Sequence, residues 1–298
     1  MSPRFATTLV LMLTAALAPA ARADDQLITA DPAAQAVTAL DGKVVWVSGA
    51  AGNQTLKGVQ VAPKPAKSYR SIDLGRDASG KLVLTYLRCR TFAHCTAYRD
   101  DMNGHRKVFK GLAKPGCALS TAPAVWGKHL AYGLGCRKHG RSGVYVDGRR
   151  LPLPKDAKKF GVDEITSVDL RGNRVAAIAS DIYEYAFIQT LAGKQRRSFM
   201  AAASEGDSDE HALGLALGSG NQLWALTDAE HAGDPNEAVL YRQTGSCFEY
   251  ETLANPPGPD QESGYRASDL AVDGATLYLV VPGTGIVSHA FAPARACR

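Results

Sequence analysis

Four side chains stand where a ligand could be gripped or a proton moved: Arg70, Glu164, His211 and Arg266. Each sits just ahead of a run of alternating apolar and polar residues, which places it at the entrance of a strand. If those entrances converge, two guanidiniums can bind an anion, while Glu164 or His211 can carry a proton. Thr121 and Thr166 occupy comparable entrances, and Tyr69 and Tyr265 flank the two arginines. The same side chains could instead hydrogen-bond neighbouring strands, and spacing alone does not choose between the two roles.

Signatures of committed catalysis are missing. The chain has no G-x-S-x-G elbow, no H-E-x-x-H and no G-x-x-x-x-G-K-[ST] phosphate loop, so no catalytic residue and no cofactor are assigned. Two acidic stretches, residues 205–211 and 228–237, place carboxylates near a histidine and could surround a hard cation. They lack the order of an EF-hand loop, and the cysteines lack C-x2-C spacing, so neither calcium nor zinc is expected.

The elements that would carry these residues repeat. Six times an alternating strand meets a tight turn ending in glycine and continues into a second apolar strand, with turn glycines at Gly42, Gly80, Gly127, Gly172, Gly220 and Gly274. Their separations are 38, 47, 45, 48 and 54 residues. Such turns need positive φ, which glycine adopts without steric cost. A unit of this length is a small twisted sheet that cannot bury both faces alone, so units pack around an axis. The expected fold is all-β, a six-bladed β-propeller, with strand entrances facing the central channel. Trp46, Trp126 and Trp224 lie at or beside the inner hairpins and are expected in the packing between blades.

Shorter strands between the anchors read as the outer part of each blade: residues 96–99 with 106–109, 143–146 with 149–153, 187–191 with 195–199, and 239–242 with 248–253. The first blade is thin. Its outer half runs into Pro63 and Pro65, so a strand near residues 26–29 is expected to join the last blade and close the ring.

Residues 1–23 read as a cleaved signal peptide: one early positive charge, an apolar stretch over residues 5–18, and the small-residue site Ala21-Arg22-Ala23. Residues 24–298 then form a single domain, secreted or associated with the cell envelope, monomeric and without a membrane span. Six cysteines, an even number in an exported chain, argue for disulfides. Proximity and the repeat map favour Cys89 with Cys95, Cys117 with Cys136, and Cys247 with Cys297.

Charge is split along the chain: residues 205–262 hold twelve acidic side chains and the single base Arg242, whereas residues 57–197 hold 27 basic and 11 acidic ones. In a ring, such blocks become sectors of opposite sign. The bases are scattered without interleaved aromatics, which argues against nucleic acid. The partners expected are an anionic small molecule, a saccharide or an envelope protein.

The stretch Asp269-Leu-Ala-Val-Asp-Gly-Ala-Thr-Leu-Tyr-Leu-Val280 resembles blades of the TolB-like six-bladed propellers. Residues 84–98 followed by Pro123-Ala-Val-Trp126 resemble uncharacterised secreted propeller proteins of actinobacteria. These likenesses imply a propeller with a ligand or partner at one face and carry over no catalytic set. The expectation is an exported propeller that binds without transforming its ligand; the alternative is a hydrolase or lyase with its site at the channel mouth.

Overall fold

The computed structural model describes residues 25–91, 94–138, 140–160, 162–181, 183–194, 196–205, 208–209, 211–229, 237–253 and 267–294. The expected signal peptide lies outside them. Strand β1 (Gln26–Ala30) comes first. Blade one follows with β2 (Ala34–Leu40), β3 (Lys43–Ser48) and β4 (Thr55–Lys57). Blade two is β5 (Ser68–Asp77), β6 (Leu82–Thr91), β7 (His94–Asp100) and β8 (Arg106–Val108). Blade three contains β9 (Cys117–Leu119), β10 (Ala124–Gly127), β11 (His129–Cys136), β12 (Gly143–Val146) and β13 (Arg149–Arg150). A single turn and a half of helix, α1 (Lys155–Phe160), leads to blade four. That blade is β14 (Glu164–Arg171), β15 (Arg174–Ser180), β16 (Tyr183–Thr190), β17 (Arg197–Glu205) and the short β18 (Ser208–Asp209). Blade five is β19 (His211–Leu217), β20 (Leu223–Ala229), β21 (Glu237–Thr244) and β22 (Cys247–Leu253). Blade six is β23 (Asp269–Asp273), β24 (Thr276–Val281) and β25 (Gly285–His289).

The six turn glycines all have positive φ, between 60° and 80°, so the repeat read from sequence is a repeat of inner hairpins. Strand β1 pairs antiparallel with β25, which closes the ring through the first strand and the last. Blade one has three strands, as its prolines suggested. Blades two and three share one continuous sheet, because β10 pairs parallel with β5 through Trp126 with Arg76 and Gly127 with Asp77. Gly75 permits that seam: a Cβ there would lie 1.9 Å from the Val125 carbonyl oxygen.

The buried apolar residues confirm the ring, since each cluster lies between two successive blades. Leu40, Val47 and Leu56 pack on Leu74, Leu84 and Tyr86 between blades one and two. Leu87 and Ala97 meet Tyr132 and Leu134 between two and three. Val144 meets Ile165 and Phe187 between three and four, and Ile178 and Ile188 meet Leu215 and Leu223 between four and five. Trp224 and Leu240 meet Leu277 and Leu279 between five and six, and Val37 meets Val280 and Ile286 where the ring closes. The fold is therefore an all-β, six-bladed propeller. Among the described residues, no helix is long and apolar enough to cross a membrane.

Cys89 pairs with Cys95 across the β6–β7 hairpin, and Cys117 pairs with Cys136 across β9 and β11. Cys247 is disulfide-bonded as well, and Cys297, the partner expected for it, lies outside the described residues.

Candidate functional site

The inner strands leave a cavity of about 200 Å³ on the axis, lined by residues of β2, β5, β14, β19 and β23. Its mouth is at the strand entrances. There Arg70 Nη2, from the third residue of β5, lies 3.9 Å from Oε1 of Glu164, the first residue of β14. This pair spans blades two and four, past blade three, so both strand entrances face the same opening. With side chains 22% and 38% exposed, it contributes little to stability. Its consequence is electrostatic, because each charge at the mouth is largely met by the other.

Below the mouth Thr166, Ser71, Ser167 and Ser268 line the wall beside three half-buried aspartates, Asp73, Asp169 and Asp269, with the Ser268 hydroxyl itself buried. Each aspartate clasps the next blade. Asp169 Oδ2 accepts the Leu217 N–H at 2.6 Å and Asp269 Oδ2 accepts the Val37 N–H at 2.9 Å, while Asp73 accepts from Val125. Blade one uses a hydroxyl for the same task, with Thr38 Oγ1 accepting the Leu74 N–H at 2.9 Å. At the two remaining seams glycine allows close approach instead: a Cβ on Gly133 would meet Ile165 at 2.8 Å, and one on Gly214 would meet Asp269 Oδ1 at 2.7 Å.

Burial raises all three carboxyls. Asp73 is pushed well above the usual range by loss of water, and the nearby Asp169 charge adds to this. Asp169 is raised for the same first reason, and Asp269 is pushed up to about 7. Arg171 and the backbone N–H groups act in the opposite sense without cancelling the effect of burial. Arg171 also closes the far end of the cavity: its Nη2 donates to the Val272 carbonyl at 3.1 Å, from blade four to blade six, and its guanidinium lies 6.0 Å from the Trp126 ring.

The expected residues separate. Arg70 and Glu164 come together, and Thr166 lines the cavity beside Arg70. His211 opens β19 with an exposed side chain and is not part of the lining. Arg266 and Tyr265 lie outside the described residues. Tyr69 is buried in the interface of blades one and two and donates its hydroxyl to the Lys64 carbonyl at 2.9 Å. Thr121 is buried and accepts the Gly133 N–H at 2.9 Å. Among the described residues, no group of three His, Cys, Asp or Glu is placed to hold a metal ion.

The three aspartates are not among the residues expected at the strand entrances. Their signal was an Asp-Leu step in three inner strands, at 73–74, 169–170 and 269–270, where a carboxyl interrupts the apolar half of the strand. An acid at such a position needs a donor in the neighbouring blade or a polar channel.

No family model matches the chain, and no curated protein does. Similar solved structures include an α-L-arabinofuranosidase from Podospora anserina, with a TM-score of 0.44 and 10% identity, covering 89% of this chain and 99% of that one. A puromycin-hydrolyzing peptidase from Mycobacterium tuberculosis aligns with a TM-score of 0.44 and 12% identity over 89% of this chain and 53% of that one. A protein of unknown function from Dyadobacter fermentans aligns with a TM-score of 0.47 and 9% identity, over 90% of this chain and 97% of that one.

Proposed function

We propose that the protein is an exported binding propeller that seats a small hydroxylated molecule, of the saccharide class, in the cavity behind Arg70 and Glu164. The observation that carries this reading is the character of the cavity wall. Serine, threonine and aspartate residues line a space of small-molecule size, while the aspartates are engaged with backbone N–H groups of neighbouring blades. A free anion fits less well than an uncharged polyol, since the Arg70 charge is met by Glu164 and the wall carries more carboxyls than guanidiniums. The Cys89–Cys95 and Cys117–Cys136 disulfides suit an oxidising, extracytoplasmic setting.

Hydrolysis at the same mouth is the second reading. It draws on the raised carboxyls, one of which could act as a general acid. Thermal-shift and calorimetric titration with neutral monosaccharides tests the first reading, with Thr166→Trp as the blocking variant. Saturable stabilisation that Thr166→Trp abolishes, without product over hours, supports binding. Release of reducing ends from an oligosaccharide, lost in the blocked variant, would replace it with the hydrolase.

A further inference from the structure

The outer edge of blade three carries positive charge that the fold does not neutralise. Residues 104–162 hold 13 basic and 2 acidic side chains. One of the two acids, Asp147, is engaged by His129 Nδ1 at 2.8 Å and by the Leu130 N–H at 2.9 Å. The edge strand β13 consists of Arg149 and Arg150, both exposed, and they are fastened on opposite sides of it. Arg149 Nη2 donates to the Leu191 carbonyl of blade four at 3.2 Å, and Arg150 Nη2 donates to the Ser142 carbonyl at 2.6 Å. Beside Arg149, the turn between β16 and β17 brings exposed Lys194 and Arg196, whose guanidinium donates to the Leu153 and Gly193 carbonyls, both at 2.9 Å. Beside Arg150 and its cross-strand partner Tyr145, the Lys114 ammonium lies 4.4 Å over the Tyr145 ring and 3.4 Å from the Gly148 carbonyl.

Arginines elsewhere on the ring are matched: Arg76, Arg99, Arg106 and Arg242 each meet a carboxylate at 2.5 to 2.8 Å. Among the described residues, none of the five cations on this edge forms an ion pair. A guanidinium held by a carbonyl keeps its charge and its other N–H donors, and it is in position before a partner arrives. These charges lie in a band over an edge rather than around a hollow, so they match an extended anion and not a small one. The exposed aromatic rings among the described residues, Phe248 and Tyr250, are on β22 of blade five, so the band has no ring for a base to stack on. A flat lipid surface would touch such a ridge along its crest alone, whereas a flexible chain follows it over both sides. We infer that the outer edge of blade three docks an acidic polysaccharide, whose sugar carboxylates run over β13 and meet Arg149 and Arg196 on one side and Arg150 and Lys114 on the other. This surface is separate from the axial cavity and does not depend on what that cavity holds.

The test is fluorescence anisotropy of a labelled oligogalacturonate with the intact protein at ~0.1 M salt, with neutral dextran, single-stranded DNA and phosphatidylglycerol vesicles as competitors. The oligogalacturonate should bind saturably, more weakly as salt rises, and be displaced by its own unlabelled form at lower concentration than by any of the three competitors. Replacing Arg149, Arg150 and Arg196 together by glutamine should weaken binding about tenfold or more. The same loss of charge at exposed Lys43, Lys64 and Lys67, on and beside blade one, should change it less than about twofold. Should the arginine variant fold poorly, Lys114→Gln combined with Lys194→Gln leaves the arginine–carbonyl bonds in place and should weaken binding about threefold. Equal losses from the two triple variants reduce the contact to net charge and overturn the inference, as does failure of the oligogalacturonate to bind. Tighter binding of DNA or of vesicles overturns it in favour of that partner. None of these outcomes bears on the axial cavity, which is tested with neutral sugars.

Discussion

Asp269 on the inner strand of the last blade accepts the backbone N–H of Val37 on that of the first at 2.9 Å, joining positions 232 residues apart. One carboxylate thus helps close the ring, beside the β1–β25 pairing at the rim and the Gly42 N–H that donates to Asp273 Oδ2 at 2.6 Å. The cost of the device is a carboxyl held out of bulk water.

That cost is readable against pH. Burial raises Asp269 to about 7, above its value in the unfolded chain, so the folded state holds the proton more tightly. Its contribution is complete below the unfolded carboxyl range and is lost as pH rises from about 4 toward 7. Asp269→Asn keeps an acceptor for Val37 and carries no charge. Its Tm should decline less over that interval than that of the parent protein, crossing above it at pH ~8; parallel curves would remove Asp269 as a source of the dependence.

His289 gives a second pH-dependent closure. Its Nδ1 donates to Asp25 Oδ1 at 2.6 Å and its Nε2 to Glu251 Oε2 at 3.0 Å, so the imidazolium ties the segment before β1 to blade five. Burial works against the charge, but the hydrogen bonds and charges of Glu251 and Asp25 outweigh it and raise the pKa. The tie is complete below the unfolded histidine value and weakens as pH climbs through the raised one. Amide exchange in β1 should therefore quicken with pH beyond its intrinsic rate, and His289→Gln should remove the excess.

The seam of blades two and three depends on one missing side chain. Gly75→Ala would put Cβ 1.9 Å from the Val125 carbonyl oxygen, which forces blade three outward and should cost about 3 kcal/mol or more. Gly42→Ala, at φ +71° with nothing within 4 Å, meets only backbone strain and should cost about 1 kcal/mol. Urea midpoints of the two variants compare these costs directly.

The Cys117–Cys136 disulfide closes a separation of 19 residues. Replacing both cysteines with serine should lower stability by about 3 kcal/mol. The Cys89–Cys95 bridge closes a separation of only 6 within one hairpin and should matter less. Denaturant unfolding of the two double variants ranks them.

The order of these effects follows from how the chain encodes them. Alternation and turn glycines are local: a φ near +60° to +80° is required at Gly42, Gly80, Gly127, Gly172, Gly220 and Gly274 wherever the hairpin sits, so the six blades and their inner hairpins could be read from residue types alone, whereas the parallel β10–β5 seam could not. The proline-thinned first blade likewise announced that another strand, β1, would have to close the ring. The entrances of the inner strands were legible for the same reason, and Arg70 and Glu164 were found there.

Which of those entrances meet was decided by the ring. Arg70 reaches Glu164 past an intervening blade, whereas His211, placed at an equivalent strand position, stays exposed outside the cavity. Spacing along the chain specifies a blade but not the angle at which its first residue leans over the axis. The same holds for Asp73, Asp169 and Asp269, which look like interruptions in apolar strands until the neighbouring blade supplies the N–H groups that justify them. Local conformational preference acts within a hairpin, while desolvation and charge depend on everything packed around a side chain, and only the assembled propeller brings those together.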